Sequence, residues 1–327
     1  MKNLFLGVDV GSVSTNIVLI DENNNLVEKK YVRTMGNPIK ILTKTLGELS
    51  DKYNTKDIKG VGTTGSGRDL ANIILGADIV KNEITAHAVA AINDNPNVRT
   101  VLEIGGQDSK IIIIEDGIVT DFAMNTVCAA GTGSFLDRQA HRLGITIDEF
   151  SKEAIKSTNP VRIAGRCAVF AESDMIHKQQ LGHNQEDIIN GLCEALVRNY
   201  LNNLAKGKKI HDTIVFQGGV AANHGIKKAF EKYLDKKINI PKHYDVMGAI
   251  GSALLAKEKV RKTKTTRFNG LNYSNIDYKV KGFECNDCAN MCEVVEIIAN
   301  GKVLARWQDK CGKYSNLTNN DKNEKFA

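Results

Sequence analysis

The residues best suited to chemistry lie in two copies of one motif. LGVDVGSVSTNIVLID (6–21) and LEIGGQDSKIIIIED (102–116) align without a gap, Gly11 falling on Gly105, Asp9 on Glu103 and Thr15 on Ser109. Gly11, Ser12, Gly105 and Gly106 permit close backbone approach, and amides in such turns can point at phosphate oxygens. Asp9, expected at a strand end, suits a magnesium ion bound through water, because that ion dehydrates reluctantly. Gln107 and Asp108 have the chemistry to orient an attacking water or the metal. A single glycine hairpin is ordinarily a plain turn, whereas two superposable copies point to a phosphate site. A third segment, TIVFQGGVAANHGIKKAFEKYL (213–234), is predicted as a buried strand, a Gly218–Gly219 turn and an amphipathic helix. A helix start beside a glycine pair is a good seat for the purine and ribose of a nucleotide.

The seven cysteines form two groups and an outlier. Cys128 precedes Ala-Ala-Gly-Thr-Gly and an apolar-periodic run through Phe135, Leu136, Ala140 and Leu143. Cys167 likewise precedes small and apolar residues that read as a helix start. A thiolate or an anionic cluster at a helix N-terminus is stabilised by the helix dipole. On spacing alone, two such thiols are more often buried structural residues. Cys193, within IINGLCEALVRNYLNNLA, reads as a plain buried thiol. Cys285-x2-Cys288-x3-Cys292, a strand pattern and then Cys311 form a metal-site signal, suiting structural zinc or an iron–sulfur cluster.

These residues need elements to hold them. Each copy of the repeat reads as strand, glycine turn, strand, tight turn (ENNN or EDG) and third strand, which implies two similar lobes facing one another. A chain of 327 residues is also longer than one ordinary core supports. The segment VMGAIGSALLAKEKV (246–260) is expected to form a small-residue helix packed closely on the first lobe. The order of these pieces resembles the actin-like ATPase superfamily over roughly residues 3–260. That resemblance implies an α/β fold of two duplicated ribonuclease H-like lobes that close on ATP by hinge motion. The lobes would be residues 1–97 plus 246–260, and 98–245. The two hairpins would be the phosphate loops and the late glycine pair the adenosine loop.

VDVGSVST, TTGSGRDL (63–70), IGGQDSK, MNTVCAAGTGSFLD, CAVFAES and GGVAAN narrow the resemblance further. In order and approximate spacing they are similar to the 2-hydroxyacyl-CoA dehydratase activators (the BadF/BadG/BcrA/BcrD type), relatives of the benzoyl-CoA reductase ATPase subunits. Carried over, Cys128 and Cys167 become ligands of an oxygen-sensitive 4Fe–4S cluster. Asp9, Gly11, Ser12, Ser14, Thr15, Gly105, Gly106, Gln107, Asp108, Gly218 and Gly219 become the site for ATP or ADP with magnesium. Two thiolates cannot fill a four-cysteine site, so a homodimer is expected to give two from each subunit. The resemblance also implies a ferredoxin or flavodoxin as electron donor and a dehydratase or reductase as recipient. Glu172, shortly after Cys167, reads as a helix-surface carboxylate.

Residues 261–327 depart from the compact members. RKTKTTRFNGLNYSNIDYKVKG (261–282) reads as a linker or edge strand, followed by the cysteine-rich segment as a small metal-binding domain. This extension resembles the segment after the activator module in larger fused activator–dehydratases, so the chain is expected to be a free-standing activator or the front of such a fusion. The formal charge of +6 is mild for this length and its lysines are scattered. With no aromatic stacking surface, a structural or electron-relay role is favoured over nucleic-acid binding. No cationic leader or long apolar span precedes the first strand, so no membrane association and a cytoplasmic location are expected. Two rivals stand beside this reading. One is a sugar or acid kinase, whose base would be Asp121 or Asp137. The other is a nucleotide-switched binding protein like the heat-shock ATPases, with zinc in its tail.

Overall fold

The structure, a computed structural model, describes residues 2–273 and 278–315. Its first half begins with a hairpin of apolar strands, β1 (Leu4–Val10) and β2 (Ser14–Ile20), edged by β3 (Leu26–Arg33). β1 and β2 are buried along nearly their whole length, whereas β3 alternates, as an edge strand should. Helix α1 (Pro38–Ser50) starts at Asn37, whose side chain accepts the Lys40 amide, and buries Ile39, Leu42, Leu46 and Leu49 along one stripe. β4 (Ile58–Thr64), α2 (Arg68–Leu75), β5 (Ile79–Val80) and α3 (Glu83–Asp94) follow. The sheet order is β3-β2-β1-β4-β5.

The second half repeats this order. β6 (Thr100–Ile104), β7 (Ser109–Glu115) and β8 (Ile118–Asn125) form the meander. Four helices come next: α4 (Gly133–Arg142), α5 (Ile147–Ala154), α6 (Ala168–Gln180) and α7 (Gln185–Leu204). β9 (Ile214–Gln217), α8 (His224–Leu234), β10 (Ile238–Asn239) and α9 (Met247–Thr263) complete it. The second sheet runs β10-β9-β6-β7-β8, the first order repeated strand for strand. Even the register matches: Asp9 pairs with Asn16 in the first hairpin and Glu103 with Lys110 in the second.

α9 lies across β1 and β4 of the first sheet and against α3. Small residues make this approach possible. A Cβ on Gly7 would stand 1.9 Å from the Ala249 carbonyl oxygen, and one on Gly62 would stand 2.1 Å from that of Ser252. α3 and α9 share a buried cluster with both sheets, which includes Val18 and Ile20 of the first and Val101 and Ile112 of the second. The two halves are therefore joined by continuous apolar packing at the floor of the cleft between them.

The stretch expected as a linker or edge strand is more structured than its composition suggests, and its described end does enter an edge strand, Tyr278–Glu284. α9 runs on to Thr263, its last turn carrying Arg261 and Lys262, a favourable placement for cations against the helix dipole. The chain then crosses the end of α2. Asp78 accepts the Thr266 hydroxyl and Arg267 amide, and Asn269 bonds to the carbonyls of Ile74 and Leu75. A third sheet, β11 (Tyr278–Glu284), β12 (Glu293–Ala299) and β13 (Lys302–Trp307), docks on the first-half core through Ile297. Residues 274–277 and 316–327 of the expected extension lie outside the described residues. No helix among the described residues is long and apolar enough to cross a membrane.

Candidate functional site

The two glycine turns close with the same bond: the Gly11 amide donates to the Ser14 carbonyl (2.9 Å), and the Gly105 amide to that of Asp108 (3.0 Å). They face each other across the cleft. A Cβ on Gly106 would stand 2.8 Å from the Val13 side chain. Asp9, Gly11, Ser12, Ser14, Gly105, Gly106, Gln107, Asp108, Gly218 and Gly219 all line one cavity between the halves. Thr15 does not. Its side chain is buried on the other face of β2, where its hydroxyl meets that of Thr34 at 3.1 Å. The period-two alternation of a strand gives the cleft Asn16 instead. Asn16 Oδ1 is buried and unpartnered among the described residues, as is Gln217 Oε1 nearby on β9.

The cavity floor is acidic around one buried ammonium. Lys110, 2 % exposed, lies 2.7 Å from Glu83, 3.0 Å from Glu103 and 2.8 Å from Asp108. Burial opposes its charge, but the three carboxylates outweigh that and raise its pKa well above the ordinary lysine value. Burial, with Glu83 adding repulsion, pushes Asp9 up to about 7. Burial drives Glu103 to about 8 against the pull of Lys110. His87 is buried beside Gln217 (2.8 Å), and desolvation, reinforced by Lys110, lowers its pKa to about 3, so it is neutral. With Glu83 and Asp108 on Lys110 and with Asp9 and Glu103 close by, the cleft favours a polyphosphate that brings a divalent cation. Asp9, the unpartnered Asn16 oxygen and the glycine cradle fit such a metal–nucleotide pair.

Sequence reasoning missed Lys110, Glu83 and His87. Lys110 had a signal: it is a lone charge among isoleucines, at the repeat position occupied by Asn16. Glu83 and His87 had none, since α3 reaches the cleft only through the packing of the two halves. The far end of the cleft is less polar, lined by Tyr31, Leu136, Ile147, Val220 and Asn223 beside Gly219. It suits a purine and ribose.

The second glycine turn is tied to α4. The Gly133 amide donates to the Gly105 carbonyl at 2.9 Å, and the Ser134 amide to that of Gly106 at 2.8 Å. The Ser134 hydroxyl donates to the same Gly106 oxygen at 2.6 Å. Cys128 lies just upstream, and here the expected helix start is corrected. It heads a 3-10 turn, Ala129–Gly131, because Thr132 is extended and delays α4 to Gly133. Cys167 does cap α6 directly. Both cysteines are partly exposed. Asn125 clamps the Cys128 backbone, accepting its amide and donating to its carbonyl, each at 2.9 Å. Asn199 of α7 donates to the Gly165 carbonyl (2.7 Å) and lies 4.0 Å from the Cys128 sulfur, which is itself 4.0 Å from the Arg166 carbonyl. The two thiols thus share one surface region, flanked by exposed Val127, Val169 and Phe170. Two partly exposed thiols from one protomer have the donor chemistry for half of a four-thiolate cluster.

Cys193 is fully buried, and burial drives its thiol pKa far upward. Glu172 pairs with Arg142 at 2.6 Å. Asp121 pairs with Lys208 on the surface and Asp137 with Arg33 at 3.5 Å, so neither is aimed as a free base. In the extension, the Cys285 amide bonds to the Cys292 carbonyl (2.8 Å); Cys285 is buried, Cys292 partly exposed, and Cys288 and Cys311 exposed. An Asp287–Lys313 ion pair bridges the turn to the segment after Cys311. Among the described residues no group of three or more His, Cys, Asp or Glu side chains is arranged to hold a metal.

Comparison with known proteins settles the family. The profile of the BadF/BadG/BcrA/BcrD ATPase family matches residues 6–256. The chain belongs to that family. It is 36% identical over 259 residues to the (R)-2-hydroxyglutaryl-CoA dehydratase activating ATPase of Acidaminococcus fermentans, covering 79% of this chain and 98% of that one. The crystal structure of component A of that dehydratase superposes with a TM-score of 0.74 at 34% identity, over 79% of this chain and 99% of the other. The activator of 2-hydroxyisocaproyl-CoA dehydratase from Clostridium difficile, with bound ADPNP, gives a TM-score of 0.73 at 30% identity, over 80% and 97%. The two-sheet α/β body of this family member is thus the fold of the actin-like activator ATPases. The family match ends at residue 256, before the third sheet begins.

Proposed function

We propose that the protein hydrolyses ATP between its two halves and uses the cycle to drive one low-potential electron from a 4Fe–4S cluster to a 2-hydroxyacyl-CoA dehydratase or a related reductase. Two copies would share the cluster, each giving Cys128 and Cys167; the cluster supplies the one-electron couple. The observation that carries this reading is the pair of bonds from Gly133 and Ser134 to the carbonyls of Gly105 and Gly106. A phosphate that moves the second glycine turn moves the start of α4, and with it the turn headed by Cys128. Asn199 extends that linkage to the loop before Cys167. Nucleotide state then biases how two protomers grip one group, by as much as its affinity differs between open and closed cleft.

The chain's own residues have distinct tasks in this scheme. Gly11, Ser12, Gly105 and Gly106 receive phosphates, Asp9 holds magnesium through water, and Gln107 with Asp108 orients the attacking water. Gly218 and Gly219 border the nucleoside. The lobes are residues 1–97 with 246–260, and 98–245; the donor is a ferredoxin or flavodoxin, and the setting is the cytoplasm. The relatives' names, an activating ATPase and an ADPNP-bound activator, support this assignment. No step is routed through the extension's cysteines, which are spread between buried and exposed positions. The deciding experiment is iron and sulfide content of anaerobically purified protein together with dimer mass. About two irons per protomer in a dimer is expected; colourless, iron-free protein that still turns over ATP sinks the electron-transfer reading.

A further inference from the structure

A second large groove opens beside Cys167, between residues 162–166, α6 and α7, with a volume of about 1140 Å³. It exceeds the roughly 300–1,000 Å³ of ordinary small-molecule pockets. Its charge is one-sided. Arg162, Arg166, Lys178, Arg198 and Lys206 line it against a single carboxylate, Asp174. Asp174 accepts the Ala164 amide at 2.8 Å, so it is engaged with the backbone. Arg198 is anchored on the Ile163 carbonyl (2.6 Å) and lies 3.7 Å from Glu194. Arg162, Arg166, Lys178 and Lys206 form no ion pair among the described residues. In a chain whose whole formal charge is +6, this is a strong local concentration. Like charges held together repel one another, and that cost is offset when a complementary anion binds.

We propose that this groove docks a small acidic iron–sulfur carrier protein, which delivers the electron to the cluster held by Cys128 and Cys167. The inference rests on the function proposed above and adds the donor's binding face. Three features favour a protein over a free anion: the groove's size, its construction from three chain segments, and the exposed Phe170 beside the cations. Its position supplies the purpose, because Cys167 lines the groove. One electron leaves the carrier's reduced centre and enters the cluster; no bond forms or breaks. A basic face steers a net-negative partner, raising the association rate at low salt and losing that advantage as salt screens it.

Arg162→Glu and Lys206→Glu, singly and together, test this in the dimeric holoprotein by stopped-flow reduction with a reduced acidic ferredoxin at increasing salt. The double variant should react at least tenfold more slowly at low salt and lose most of the salt dependence. Its iron content, ATPase rate and reduction by dithionite should match the wild type. An unchanged ferredoxin rate overturns the proposal, as does equal slowing with dithionite or occupation of the groove by inorganic phosphate alone. Normal ferredoxin reduction with failed delivery to the dehydratase overturns it too, by giving the groove to the recipient. If the wild type holds no iron, the functional reading fails first; calorimetric binding of oxidised ferredoxin to wild type and double variant still decides the docking face.

Discussion

Lys110 of the second half and Glu83 of the first meet at 2.7 Å across the floor of the cleft, both largely screened from water. Among the described residues this is the one ion pair that ties α3 to the hairpin carrying Gly105 and Gly106. Lys110→Met would leave Glu83, Glu103 and Asp108 close together with no cation among them. Removing one partner of a buried ion cluster costs about 3–5 kcal/mol. Denaturant unfolding of the nucleotide-free protein should show a loss of that order, while Glu83→Gln, which leaves two carboxylates on Lys110, should lose much less. Equal stability for Lys110→Met and wild type would show that the cluster carries no net energy.

The same cluster sets a pH dependence. Asp9 and Glu103 titrate near 7 and 8, above their unfolded values, so the folded state holds extra protons and loses stability as pH rises. His87, held near 3, has the opposite effect below its unfolded value of about 6.5. Above pH 6.5 the His87 effect fades as the unfolded imidazole loses its proton, and the carboxylates dominate. The nucleotide-free protein should therefore melt at a lower temperature at pH 8 than at pH 6.5, with a slope of up to about 1.4 kcal/mol per pH unit per proton. Glu103→Gln should flatten that slope; a slope unaffected by the substitution rules out Glu103 as its source.

How much of this was readable beforehand differs element by element. The repeat of Gly11 on Gly105 was enough to anticipate two similar lobes that each open with a strand meander, because hairpin turns and apolar runs are local signals; the full five-strand order was not anticipated. The close seat of α9 was legible in its small residues. The Lys110–Glu83 contact was not, since it depends on how two distant segments pack. Thr15 and Asn16 show a finer limit: both are small polar residues at a strand start, and only the pleat decides which one faces the cleft. The course of residues 264–273 over α2 was hidden in the same way, behind a polar composition that mimics a linker.

Gly106 sits directly against Val13 of the first half at the phosphate end. Gly106→Ala should wedge the turn from Val13, since its Cβ would stand 2.8 Å from that side chain. Calorimetry with a non-hydrolysable ATP analogue should report at least a tenfold weaker affinity, about 1.4 kcal/mol, in a protein that remains folded. Wild-type affinity in this variant would mean that nucleotide binds without the two turns meeting.

Cys128→Ala and Cys167→Ala should each remove iron and loosen the dimer, with nucleotide affinity within about twofold of wild type. Cys193→Ala should keep its iron, because that thiol is walled off beneath α8 against Asn223. Metal analysis and sedimentation decide between them, and full iron retention in either of the first two variants excludes that residue as a ligand.

The third sheet has a use that its cysteines do not exhaust. It carries the chain's one tryptophan, Trp307, packed against the first-half core, whereas Cys128 and Cys167 belong to the second half. An absorbing group at those cysteines would quench the indole by an amount set by the separation of the two halves. With such a group bound, the molecule would carry a built-in optical ruler, its emission tracking each opening and closing without any added dye.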